Sequence, residues 1–128
     1  MADNPEKQKS LVIKFKKQSL KKVLIVVEAG LGLTEKELSE VLRVAPRTLN
    51  NWTSGNGIVN LKLIYVLKIL DLEGIVILGL IAFRGGNFQK WLRSQPPAYD
   101  KTPLECLKRG EYERIRHSLS VINGSSCA

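Results

Sequence analysis

An all-α fold is what this sequence predicts: an N-terminal bundle of short amphipathic helices built around a helix-turn-helix, followed by a small helical module. Three observations carry the expectation. Apolar residues recur at helical spacing along most of the chain. Two Thr-x-x-Glu capping boxes stand at Thr34/Glu37 and Thr102/Glu105, and Gly or Pro opens or closes the periodic stretches at Pro46, Gly55, Gly85-Gly86, Pro96-Pro97, Pro103 and Gly110. A chain of 128 residues makes one compact domain or two very small ones, with a modest core that self-association would help, so a homodimer is expected. The organisation expected is a basic segment over residues 1–18, a helix-turn-helix domain over 19–84 and a C-terminal module over 85–128.

The first segment is dense in positive charge. Lys7, Lys9, Lys14, Lys16, Lys17, Lys21 and Lys22 come with no acid between Lys7 and Lys22, in a chain whose formal net charge is +8. Such a run suits phosphates or lipid headgroups, and equally a solvated surface. Leu11, Ile13 and Phe15 alternate with Val12, Lys14 and Lys16, which permits a short strand. From Ser19 a helical stripe follows at Leu20, Val23, Leu24 and Val27 and stops near Gly30.

The window from Leu33 to Gly55 has the spacing of a helix-turn-helix. Thr34 caps a helix whose inner face is Leu38, Val41 and Leu42. Pro46, whose fixed φ and missing N–H suit a first helical turn, starts a second with Leu49 and Trp52 inward. Gly55, Asn56 and Gly57 end it. Pro46, Arg47, Thr48, Asn50 and Asn51 are left for the outer side, where guanidinium and carboxamide groups can pair bidentately with guanine and adenine edges. Lys14, Lys16 and Lys17 are the candidate phosphate contacts. The corner, where glycine is usual, is Arg43. The bland alternative is two amphipathic helices of an ordinary bundle; the ordered combination of cap, apolar spacing, Pro46 and closing Gly favours DNA binding.

Residues Leu61 to Phe83 look like buried helices, with Leu63, Val66, Leu67 and Leu70 as one stripe and Asp71 and Glu73 as punctuation. Beyond Gly86, a short helix carries Phe88, Trp91 and Leu92, the second capping box opens another with Leu104 and Leu107, and Tyr112, Ile115, Leu119 and Ile122 mark a last one. Catalysis is not expected. Cys106 and Cys127 lack companions at metal-ligand spacing, His117 is the sole histidine, and no nucleophile–base set can be assembled, so no metal and no cofactor is expected. The polar start of the chain has no signal-peptide pattern, and the apolar run Gly74–Phe83 is about half of what a bilayer needs, so a cytoplasmic protein with no membrane partner is expected.

Leu31-Gly32-Leu33-Thr34 through Pro46-Arg47-Thr48-Leu49-Asn50-Asn51-Trp52, then Trp91-Leu92, Pro97-Ala98, Thr102-Pro103-Leu104-Glu105 and Leu107 to Gly110, resemble in order the Xre/MbcA/ParS antitoxins. The resemblance spans roughly residues 20–122. It departs at Tyr99-Asp100-Lys101, where the family usually has Leu-Gly-Gly, which implies a stiffer loop here. The resemblance implies a bacterial antitoxin: an Xre-type half that binds operator DNA and represses transcription, and a C-terminal half that covers the NAD pocket of a RES-domain toxin. Arg109, Tyr112, Ile115, Arg116 and Leu119 are the residues expected to meet that toxin, Tyr and Arg being common interface anchors. Composition alone favours a different assignment, a stand-alone regulator whose C-terminal helices dimerise.

Overall fold

The structure, a computed structural model, describes residues 11–124. In chain order these form strand β1 (Val12–Lys16), helices α1 (Lys17–Leu31), α2 (Glu35–Leu42) and α3 (Pro46–Thr53), strand β2 (Ile58–Lys62), the long helix α4 (Leu63–Ala82), and the shorter α5 (Asn87–Leu92), α6 (Pro103–Lys108) and α7 (Tyr112–Ile122). The fold is mostly helical, as the periodicity predicts. It is not all-α.

The exception is an antiparallel pair, β1 with β2, in the register Ile13 opposite Leu61 and Phe15 opposite Val59. Ile13, Phe15, Val59 and Leu61 turn inward, while Val12, Lys14, Lys16, Ile58 and Lys62 stay exposed. Alternation betrayed the first strand. The second is concealed because Ile58 to Lys62 runs without punctuation into the apolar helix behind it, so Leu61 belongs to the sheet and not to a helix. Backbone bonds from Leu63 N–H to Leu11 C=O and from Lys17 N–H to Gly57 C=O, both 2.9 Å, extend the ladder at each end. The C-terminal part of the basic segment expected over residues 1–18 is therefore built into the body of the fold; Lys7 and Lys9 lie outside the described residues.

Helix α4 is the hub. Its buried stripe is Ile69, Leu72, Ile75, Val76 and Gly79, packed against α1 on one side and α7 on the other. Leu67 and Leu70, expected inside, are each 55% exposed. The helix is apolar all round, so apolar character could not say which side faces the core. Asp71 and Glu73 do not interrupt it. Two glycines permit the close packing: a Cβ on Gly30 would lie 2.4 Å from a Val76 methyl, and one on Gly79 would lie 2.3 Å from the Phe88 ring. Gly30 therefore sits inside α1, and Gly32, left-handed at φ 67°, ends it.

One hydrophobic cluster runs from Leu20 through Leu38, Trp52, Leu72 and Phe88 to Leu119. The residues after Gly86 thus share a core with those before it. Gly79→Ala should drive a methyl into the Phe88 ring and destabilise the protein by about 1–3 kcal/mol, read as a lower urea midpoint with native-like circular dichroism.

Candidate nucleic-acid interface

The capping box at Thr34 forms as the sequence predicts. Its Oγ1 accepts from Glu37 N–H at 3.1 Å, and its own N–H donates to Glu37 Oε1 at 3.0 Å. The sequence did not announce a third partner. Arg93, just past α5, grips both Glu37 oxygens at 2.8 and 2.9 Å and also donates to Gly32 C=O at 2.7 Å. The Arg93 guanidinium, with the Thr34 N–H behind it, holds the Glu37 carboxyl at about 2 against an ordinary 4.5.

Each of the last four α2 carbonyls has a partner, which is how a helix end can be buried. Ser39 C=O accepts from Val44 N–H at 3.0 Å and Glu40 C=O from Arg43 N–H at 3.2 Å. Val41 C=O accepts from the Tyr112 hydroxyl at 2.8 Å, and Leu42 C=O from Lys68 Nζ at 3.4 Å. Burial, with the nearby Asp71 carboxylate, pushes the Tyr112 phenol well above its ordinary pKa, so it is a constant donor. Burial, with Arg43 nearby, lowers that of Lys68.

Arg43 is left-handed, at φ 59° and ψ 46°, the single non-glycine with positive φ among the described residues. Its Nε donates to Lys108 C=O at 3.2 Å, at the end of α6. The usual glycine could take the turn but could not make that bond. Val44 and Ala45 complete the corner, and Pro46 opens α3 as its first residue.

Within α3, Leu49 and Trp52 are buried, with the Trp52 ring 5.4 Å from Tyr65. Pro46, Arg47, Asn50 and Asn51 are exposed and Thr48 is half-buried. No hydrogen bond within the described residues engages the Arg47, Asn50 or Asn51 side chains. Lys14 and Lys16 stand on the exposed face of the sheet, joined there by Lys62, which the sequence argument overlooked because it missed β2. Lys17 is half-buried and donates to Ser54 C=O at 3.2 Å, while Gln18 Nε2 donates to Asn56 Oδ1 at 2.9 Å. The loop closing α3 is thereby fastened to the junction of β1 and α1, and Lys17 is partly committed to it.

The proposed toxin contacts divide. Arg109 is exposed. Arg116 is half-buried and pairs with Asp71 at 2.9 Å and with Glu113. Tyr112, Ile115 and Leu119 are buried and do not face a partner, contrary to expectation. Their spacing is the core stripe of α7, and Tyr112 is spent on Val41. Outward on that helix are Glu113, His117, Val121 and Ile122. An open groove of about 250 Å³ lies there, lined by Trp91, Pro96, Tyr99, His117, Val121 and Ile122. Tyr99, the loop residue that departs from the family pattern, anchors it. Its hydroxyl meets Ser118 Oγ at 2.6 Å, its edge meets Trp91 with centroids 6.0 Å apart, and Arg114 lies 4.4 Å over its ring.

Among the described residues no group of three His, Cys, Asp or Glu side chains could hold a metal ion. Cys106 is buried, and its burial raises the thiol pKa, which opposes thiolate formation. No helix among them is long and apolar enough to cross a membrane. No protein-family model matches the chain, and no curated protein does.

Two outcomes follow from this geometry. Because the folded Glu37 pKa is depressed, its pairing stabilises fully above pH 4.5 and is lost as pH falls toward 2. Glu37→Gln should therefore lower stability at neutral pH and flatten the acid limb of a stability–pH profile over that window, measured by urea denaturation. If α3 reads base edges, as the sequence predicts, Arg47→Ala or Asn51→Ala should each cost about 1–3 kcal/mol on a specific operator in gel shifts, with non-specific binding nearly intact.

Proposed function

We propose that the chain is an antitoxin-type regulator that binds operator DNA through α2 and α3, as a helix-turn-helix, and a RES-type, NAD-consuming toxin through its C-terminal helices. The observation that carries the DNA half is the outward face of α3. Arg47, Asn50 and Asn51 stand free on a short helix, and the last four carbonyls of α2 before it are all hydrogen-bonded. Fixed donors on a rigid helix are what base recognition requires. Exposed Lys14, Lys16 and Lys62 supply sequence-independent attraction to phosphates.

The toxin half rests on the resemblance at Trp91-Leu92, Pro97-Ala98 and Thr102-Pro103-Leu104-Glu105. The groove beside Trp91 and Tyr99 supports it, since an open, largely apolar trough rimmed by exposed Val121 and Ile122 suits a protein partner. Inhibition would be occlusion, asking no chemistry of this chain. A stand-alone regulator is the second reading, favoured by the core that the C-terminal helices share with the rest.

Co-expression with a RES-type toxin encoded beside this chain's gene separates the two. Arg47→Ala should keep growth rescue and lose promoter repression; Val121→Asp with Ile122→Asp should lose rescue and keep repression. Full rescue by the double variant at wild-type abundance would remove the groove from the toxin interface. Failure of the wild-type chain to rescue growth or to co-purify with the toxin would favour the stand-alone regulator.

A further inference from the structure

The outward side of α4 has no occupant within the described residues. At helical spacing Leu63, Leu67, Leu70, Gly74, Ile77 and Ile81 fall on one face, opposite the buried stripe, and none carries a charge. Leu67, Leu70 and Ile77 are each 55% exposed and Ile81 is 68% exposed. Of the three charged groups of this helix, Lys68 donates to Leu42 C=O and Asp71 pairs with Arg116, while half-buried Glu73 flanks the face beside Gly74. A surface helix normally turns polar residues to water here, whereas this one is apolar all round, the pattern of a buried helix.

Gly74 identifies the occupant. A mid-helix glycine costs about 1 kcal/mol against alanine, and Gly30 and Gly79 repay that with contacts no Cβ could share. Around Gly74 there is nothing within 4 Å of a would-be Cβ. No packing among the described residues asks for a glycine there. It sits at the midpoint of the stripe, with Leu67 seven residues before it and Ile81 seven after, each roughly 10 Å away along the axis.

We propose that α4 pairs with α4 of a second copy, antiparallel, about a two-fold axis passing at Gly74. Glycine lets the two backbones approach at the axis. The symmetry then sets Ile81 of each copy beside Leu67 of the other. An apolar cavity of about 160 Å³, lined by Phe15, Val23, Leu61, Val66 and Leu70, borders the stripe at Leu70, so the apolar surface open to a partner extends past the helix itself. This contact is isologous and closes at two copies. The four half-exposed side chains leave on the order of 100 Å² each. With their flanks, two copies cover roughly 1,000 Å², the lower bound for a specific interface. The proposal depends on neither the DNA nor the toxin assignment.

Sedimentation equilibrium of the full chain should give a dimer mass. Ile77→Glu and Ile81→Glu should each give a monomer with unchanged circular dichroism. In a Cys127→Ser background, Gly74→Cys should form a disulfide-linked dimer on mild oxidation, because a residue on the axis meets its own copy, while Ile64→Cys, off the face, should not. A monomeric wild type overturns the proposal, as does a dimer that survives Ile81→Glu or fails to cross-link at position 74. Sedimentation of a monomeric wild type with anionic vesicles, lost in Ile77→Glu, would assign the face to a lipid surface and equally overturn it. None of these readouts involves operator or toxin, so DNA binding by a monomer would leave the proposed function standing.

Discussion

The hydrogen bond from the Tyr112 hydroxyl to Val41 C=O is the contact on which the exposed face of α3 depends. Helix α2 ends inside the protein, and its carbonyls would be orphaned if the chain merely turned. Two are closed by the turn itself and two by side chains reaching from α4 and α7. With the end of α2 held, Arg43 can keep a backbone conformation costly for a residue with a Cβ, and Pro46 can set α3 at a fixed angle. The orientation of Arg47, Asn50 and Asn51 is thus decided by residues far along the chain.

What was legible in the sequence was local. Both capping boxes, Pro46 at the start of α3 and the inward pair Leu49 and Trp52 are governed by backbone groups within a turn or two, so residue type and spacing are enough to find them. The second strand was invisible because its partner lies across three helices and an apolar helix follows without a break. The inner side of α4 was equally hidden: where every side is apolar, periodicity carries no phase. Tyr112, Ile115 and Leu119 show the opposite error. Residue type suggested an interface, while their spacing already described a buried stripe.

Charge is distributed with a similar division of labour. Among the acids, Glu37, Glu40, Asp71, Asp100 and Glu111 are paired with cations of other or adjoining elements, and Glu113 with Arg116 of its own helix. Such exposed or half-exposed pairs contribute modestly to stability. Their larger effect is on the field. Exposed Lys14, Lys16, Lys21, Lys22 and Lys62 make no ion pair among the described residues, so unpaired positive charge gathers on the sheet and the first turns of α1.

The Arg43–Lys108 bond carries a consequence in the language of linked equilibria. A turn held from α6 cannot respond to its surroundings independently of α6, so the helix pair and the C-terminal helices form one mechanical circuit. For two ligands that engage opposite ends of such a circuit, any factor by which the first alters the affinity of the second must be returned in full by the second to the first. Glycine at position 43 would relax the backbone and remove one link of that circuit, leaving Tyr112 on Val41 and Lys108 on Glu40. The strained arginine trades backbone comfort for one more tie between the corner and α6.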